Sequence, residues 1–93
     1  MTGAELLQQD RRFATGYVFG VVEMQIGLQH PEVKNWRIVR DCMIKSNLDA
    51  QGVYDLVESY LRRYPKVLKD SAWIGVYRAV QEKCDPGYKP YSD

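Results

Sequence analysis

Few side chains in this sequence are equipped for covalent or metal chemistry. There is one histidine, His30, and there are two cysteines, Cys42 and Cys84. A serine or cysteine nucleophile needs a base within hydrogen-bond reach and a third group to orient that base. His30 sits beside Pro31, no second histidine is present, and both cysteines read as structural. Zinc needs four ligands, or three plus water. His30, Cys42 and Cys84 would supply three, but none of them stand at the short helical spacing of a ligand pair. Asp55 and Glu58, at i and i+3, are expected on a solvated helix face, and Asp41 is isolated. Gly16 and Gly20 lack the Lys-Ser/Thr that completes a phosphate loop. The 13 basic residues are scattered and balanced by 12 acidic ones, a net charge of +1. That leaves little electrostatic footprint for nucleic acid and no field steering the chain to acidic lipid. The sequence therefore reads as a binding or structural protein, with no catalytic residues, metal, cofactor or small-molecule substrate.

Ninety-three residues make one domain. A chain this short builds a real but thin core. The seven tyrosines and two tryptophans are many for the length. Some fill the core economically and others are expected at the surface, where aromatics favour interfaces. The two cysteines leave two readings open. A disulfide would close a loop of about 43 residues and add about 4 kcal/mol in the chain-entropy model. The alternative is a pair of buried free thiols. No stretch reaches the ~18 apolar residues of a membrane span, and no signal peptide is legible after Met1. The chain is then either cytoplasmic or an exported protein whose signal has been removed.

The elements that must position these residues read as helices throughout. Thr2 and Glu5 have capping-box spacing, predicting a short helix over 3–9. Residues 16–23, Gly-Tyr-Val-Phe-Gly-Val-Val-Glu, form the longest apolar run and the expected central rod. Its helix is predicted from residue 10 or 11 to Leu28, stopped by Pro31. Phe13, Tyr17, Val21, Met24 and Leu28 form the expected inner stripe, with Val18 and Val22 on its flank. Gly16 and Gly20 are expected as close-approach positions for neighbouring helices, where a valine at Gly20 would overpack. Residues 30–41 read as the least regular part, with Ile38 and Val39 pinned to the bundle, and 43–47 as a second connector. Val53, Leu56, Val57, Tyr60 and Leu61 mark one face of the clearest helix, capped by Asn47 or Asp49 and ended by Pro65. Asp70 or Ser71 would cap the last helix, whose expected inner face is Trp73, Val76, Tyr77, Val80 and Cys84. The expected fold is all-α, a compact bundle of about four helices with a short N-terminal one. It spans 1–93 as one domain, with a loose tail over 88–93.

Gly16 to Val21, then Cys42, then Leu56 to Pro65, then Cys84 at the end of the last helix form an ordered set that resembles the Tai family, immunity proteins that protect bacteria against type VI-secreted peptidoglycan amidases. Gly16-Tyr17-Val18-x-Gly20-Val21 resembles the family's Gly-Tyr-(Val/Ile)-x-Gly-Val motif. Cys42 opens the segment before the clearest helix. Leu56-Val57-Glu58-Ser59-Tyr60-Leu61-x-x-Tyr64-Pro65 resembles the family's Leu-Val-x-x-Tyr-Leu-x-x-(His/Asn)-Pro stretch. Ser71-Ala72, Ala79 and a terminal Cys84 follow. The chain departs from the family pattern in lacking a cysteine before the Gly-Tyr motif. It also has Met43-Ile44-Lys45 after Cys42, and Lys83 rather than proline before Cys84. The resemblance implies a Cys42–Cys84 disulfide, a periplasmic location with the signal peptide removed, and a helical homodimer. It also implies inhibition by capping the catalytic cleft of a cognate secreted amidase.

Tight inhibition needs a protruding anchor surrounded by a rim that excludes water. Two connectors would serve. The first carries Arg62, Tyr64, Lys66, Lys69, Asp70 and Ser71 between two rigid helices, which limits the entropy lost on binding. The second patch is Trp36 and Arg37. Two other classes remain in view. One is a small periplasmic helical stress chaperone, although the carboxylates here are few and unclustered. The other is a small enzyme, which the single histidine disfavours.

Overall fold

The computed structural model describes residues 1–27 and 35–89. The expected His30 and Pro31, the end of the second helix at Leu28, and the tail over 90–93 lie outside them. Five helices and one 3-10 turn follow in order: α1 (Gly3–Gln8), α2 (Arg11–Gly27), α3 (Trp36–Ser46), α4 (Ala50–Arg63), a 3-10 turn (Pro65–Lys69) and α5 (Ala72–Cys84). The all-α expectation holds, with four long helices and one short one. The molecule measures 32 × 31 × 19 Å, and its short dimension is that of two helix layers.

Local sequence explains most of the helix boundaries. The Thr2 hydroxyl accepts from the Glu5 amide at 3.1 Å, and the Glu5 carboxylate accepts from the Thr2 amide at 3.0 Å. Both bonds of the capping box are therefore made, and the Thr2 amide, with help from the Thr2 hydroxyl, holds the Glu5 carboxyl below its usual value. The Asp10 carboxylate accepts from the Arg12 amide at the start of α2. Asp49 caps α4, accepting from the Gly52 amide at 2.7 Å. Arg62 and Arg63 lie in the last turn of α4, where the macrodipole favours cations. Pro65 then redirects the chain into the 3-10 turn.

The core is one cluster centred on α5, which touches α1, α2, α3, α4 and the 3-10 turn. Leu6, Ala14, Val18, Val57, Tyr60, Leu61, Val67, Ala72, Val76, Ala79 and Val80 are completely buried. Leu61 fills a notch at Gly75, where an added Cβ would lie 2.7 Å from its Cδ2. Cys42 and Cys84 form a disulfide, Cα–Cα 5.6 Å, fastening α3 to the end of α5.

Three expectations are corrected. First, α2 is rotated relative to its expected face. Ala14, Val18, Val22 and Gln25 point inward, whereas Phe13 and Met24 are 57% and 59% exposed. Among the described residues nothing lies within 4 Å of where a Cβ at Gly16 or Gly20 would stand, so they are not close-approach sites for the neighbouring helices. That role falls to Gly75 and, at α1, to Gly3. Second, 36–46 is a helix rather than an irregular stretch and connector. Asn35 and Asn47 bracket it in the left-handed conformation, which asparagine tolerates better than most residues. Val39 and Met43 are buried while Ile38 is exposed. Third, the inner face of α5 is Ala72, Gly75, Val76, Ala79, Val80 and Cys84, with Trp73 exposed and Tyr77 half-buried. The tail is also tied down at its start, since the Tyr88 hydroxyl lies 2.9 Å from that of Tyr60.

Three outcomes follow from this packing. Replacing both cysteines by serine should lower unfolding free energy by about 4 kcal/mol, read by urea denaturation against the oxidised protein. Gly75→Val should cost about 1–3 kcal/mol by overpacking against Leu61. Gly20→Ala should instead stabilise the isolated protomer by up to about 1 kcal/mol through helix propensity, read as opposite shifts in melting temperature.

Candidate functional site: the connector between α4 and α5

The connector over 62–71 is short and braced along its length. Tyr64, Val67 and Asp70 are linked by successive turn bonds, Val67 N–H to Tyr64 C=O and Asp70 N–H to Val67 C=O, both at 3.0 Å. Val67 is fully buried and nails the turn to the core. The N-terminal segment runs antiparallel to the connector's far end. Gly3 N–H donates to Asp70 C=O at 3.0 Å, Ala72 N–H donates to Met1 C=O at 2.8 Å, and Thr2 pairs with Ser71 as a β-bridge.

At the near end an aromatic and ionic cluster joins α4 to α5. The Arg63 guanidinium donates to both oxygens of Glu82, at 3.0 and 2.5 Å. The Tyr64 hydroxyl donates to the same carboxylate at 3.1 Å. The Tyr60 and Tyr64 rings lie 4.7 Å apart, and the Arg63 cation sits over both. The Arg63 partner holds the Glu82 carboxyl below its ordinary value. The bond to Glu82 raises the Tyr64 hydroxyl. Burial, then the bond to Tyr88, raises the Tyr60 hydroxyl.

The expected anchors therefore divide by role. Tyr64 is half-buried and braces the turn rather than protruding. Arg62 is exposed and pairs with Glu58 at 3.2 Å one turn earlier. Lys66 and Lys69 are exposed on the 3-10 turn, with Ser71 exposed and Asp70 partly so. Ser71 stands at the N-cap of α5, but its side chain makes no capping bond. The resulting surface is rigid and basic. Arg63 and Glu82 carry no sign of their pairing in the sequence, because they meet only when α4 and α5 pack.

The second patch is built differently. Trp36 is half-buried, its indole N–H donates to Gln25 C=O at 3.0 Å, and Arg40 stacks over its ring. It pins the start of α3 to α2 and leaves Arg37 as the exposed member. Asn35 donates to the Asp85 carboxylate at 2.8 Å just past α5. The paired carboxylates do not work together, since Asp55 binds Arg11 at 2.7 Å and Glu58 binds Arg62. Among the described residues no three His, Cys, Asp or Glu side chains converge as a metal site, and no helix is long and apolar enough to cross a membrane. Comparison with protein-family models, curated proteins and solved structures finds no match to this chain.

Glu82 supplies the pH dependence of the brace. Because its folded value is depressed, its contribution is present above the ordinary value of 4.5 and is lost as pH falls through the folded value. Glu82→Gln should cost about 1 kcal/mol at neutral pH, and the gap from wild type should close in acid. Urea unfolding of both proteins across that range reads the difference.

Proposed function

We propose that this chain is an immunity protein that binds a type VI-secreted peptidoglycan amidase, occludes its catalytic cleft and so protects the producing cell and its kin. It acts by binding, without a cofactor, in the periplasm and as a homodimer. The observation that carries this reading is the braced basic connector, in which Lys66 and Lys69 stand on a turn fixed at both ends and Arg62 lies in the last turn of α4 before it. A turn already held in one shape loses little entropy when it enters a cleft. The ordered resemblance to the Tai family supplies the partner class. The Cys42–Cys84 bond is consistent with an oxidising compartment.

The test is to mix the purified protein with the amidase encoded beside it and measure affinity and peptidoglycan cleavage together. A nanomolar complex, about −12 kcal/mol, with cleavage abolished is expected. Lys69→Glu should weaken binding about tenfold or more, about 1.4 kcal/mol, without lowering the melting temperature. Failure to bind or inhibit would refute the reading. Uptake of an apolar dye rising near about pH 3, with the disulfide intact, would then favour the stress-chaperone alternative.

A further inference from the structure

Trp73 is a large side chain placed where it fills no core. It lies on α5 with 49% of its surface exposed. Its ring stands edge-on to Tyr77, the centroids 5.5 Å apart and the planes at 79°. Both rings line a groove of about 420 Å³. Arg78, Gln81 and Asp85 continue the lining along α5, and Tyr88 and Lys89 add to it from the segment that follows the helix. Several of these groups are held by bonds to other parts of the molecule. Asp85 Oδ1 accepts from Asn35 Nδ2 and from the Gly87 amide, both at 2.8 Å. The Tyr88 hydroxyl lies 2.9 Å from that of Tyr60, with which Arg78 also interacts. The lining is thus set before anything enters the groove.

We propose that this groove binds a proline-rich segment of a partner protein in the polyproline II conformation. The chemistry of the lining selects that occupant. The Trp73 indole, the Arg78 guanidinium and the Lys89 ammonium donate hydrogen bonds and cannot accept them. Asp85, the carboxylate of the lining, already receives two N–H groups on one oxygen. The groove is therefore rich in donors and poor in open acceptors. A proline offers a carbonyl and no N–H, and a polyproline II strand makes no internal hydrogen bonds, so its carbonyls remain available. Its rings suit an aromatic-lined groove, and its preformed shape limits the entropy lost on docking. The lengths also agree. Trp73 to Asp85 spans about 18 Å of helix, which matches about six residues of polyproline II at about 3.1 Å each. A saccharide fits less well, because its hydroxyls donate as well as accept. An acidic peptide would use the donors but would meet Asp85 and leave the two ring faces without a partner.

None of these residues belongs to the connector, so the groove does not depend on amidase binding, and failure of either proposal leaves the other standing. The full chain, labelled with nitrogen-15, is titrated with a polyproline peptide and, separately, with polyglutamate and a Gly-Ser peptide, and two-dimensional NMR reads the site. Polyproline should bind saturably, at about 1 mM or tighter. It should move the Trp73 indole N–H and the Gln81 side-chain amide and leave the Trp36 indole, which donates to Gln25 C=O, in place. Trp73→Ala should weaken binding at least about tenfold with the circular dichroism spectrum unchanged. Trp73→Phe, which keeps a ring and loses the donor, should weaken it about threefold or more and serves as the test where the alanine variant perturbs the fold. Absence of saturable polyproline binding, shifts centred away from the groove, or affinity unchanged in the folded Trp73 variants would overturn the proposal. Equal binding of the Gly-Ser peptide would overturn the selection for proline, and preference for polyglutamate would overturn the proposal in favour of an acidic partner.

Discussion

Leu61 enters α5 at Gly75, and the rest of the molecule is arranged around that contact. A Cβ at Gly75 would crowd Leu61 Cδ2 at 2.7 Å, with Val67 Cγ1 in ordinary contact at 3.6 Å. The absent Cβ lets α4 and α5 approach closely, and it brings the 3-10 turn that follows Leu61 back onto α5. Gly3 of α1 meets Leu61 and Leu68 from the other side. One leucine thus fixes the separation of α4 and α5, the seat of the connector and the docking of the N-terminus. The disulfide acts at the other end of α5, holding α3, a helix that buries little of its own surface.

The readability of each element follows from how its stability arises. α4 is legible because one face carries Val53, Val57, Tyr60 and Leu61 while Asp49 and Pro65 mark its ends, so local signals agree with tertiary packing. α3 is not. Only Val39 and Met43 of its residues are fully buried, and its boundaries depend on two asparagines in the left-handed conformation. It is a helix made by tertiary contacts and a cross-link rather than by its own pattern. In α2 nearly every position from Phe13 to Met24 is apolar or small, so periodicity cannot fix which side faces in. The large residues Phe13 and Met24 suggest one phase, and the structure takes the other, with polar Gln25 inside.

The candidate site shows the same division. The connector is legible as a short link between two firm helices bearing Arg62, Lys66 and Lys69. Its rigidity is not, because that comes from residues distant in sequence: Glu82 receiving Arg63 and Tyr64, and Met1 to Gly3 running beside Asp70 to Ala72. Tyr64 is a brace rather than an anchor, since a tyrosine before a proline carries no local sign of where its hydroxyl will find a partner. The connector's outward side is basic, turned and braced, whereas α2 turns Phe13 and Met24 outward beside Gly16 and Gly20.

The proposed recognition by the connector requires that it be fixed before any partner arrives. Native-state amide hydrogen exchange on the free protein reads this at the Gly3, Val67, Asp70 and Ala72 amides, whose bonds close the connector. Protection at these amides should be comparable to that of core amides in α4 and α5. Exchange at unprotected rates there, while α4 and α5 remain protected, would contradict a connector fixed in advance.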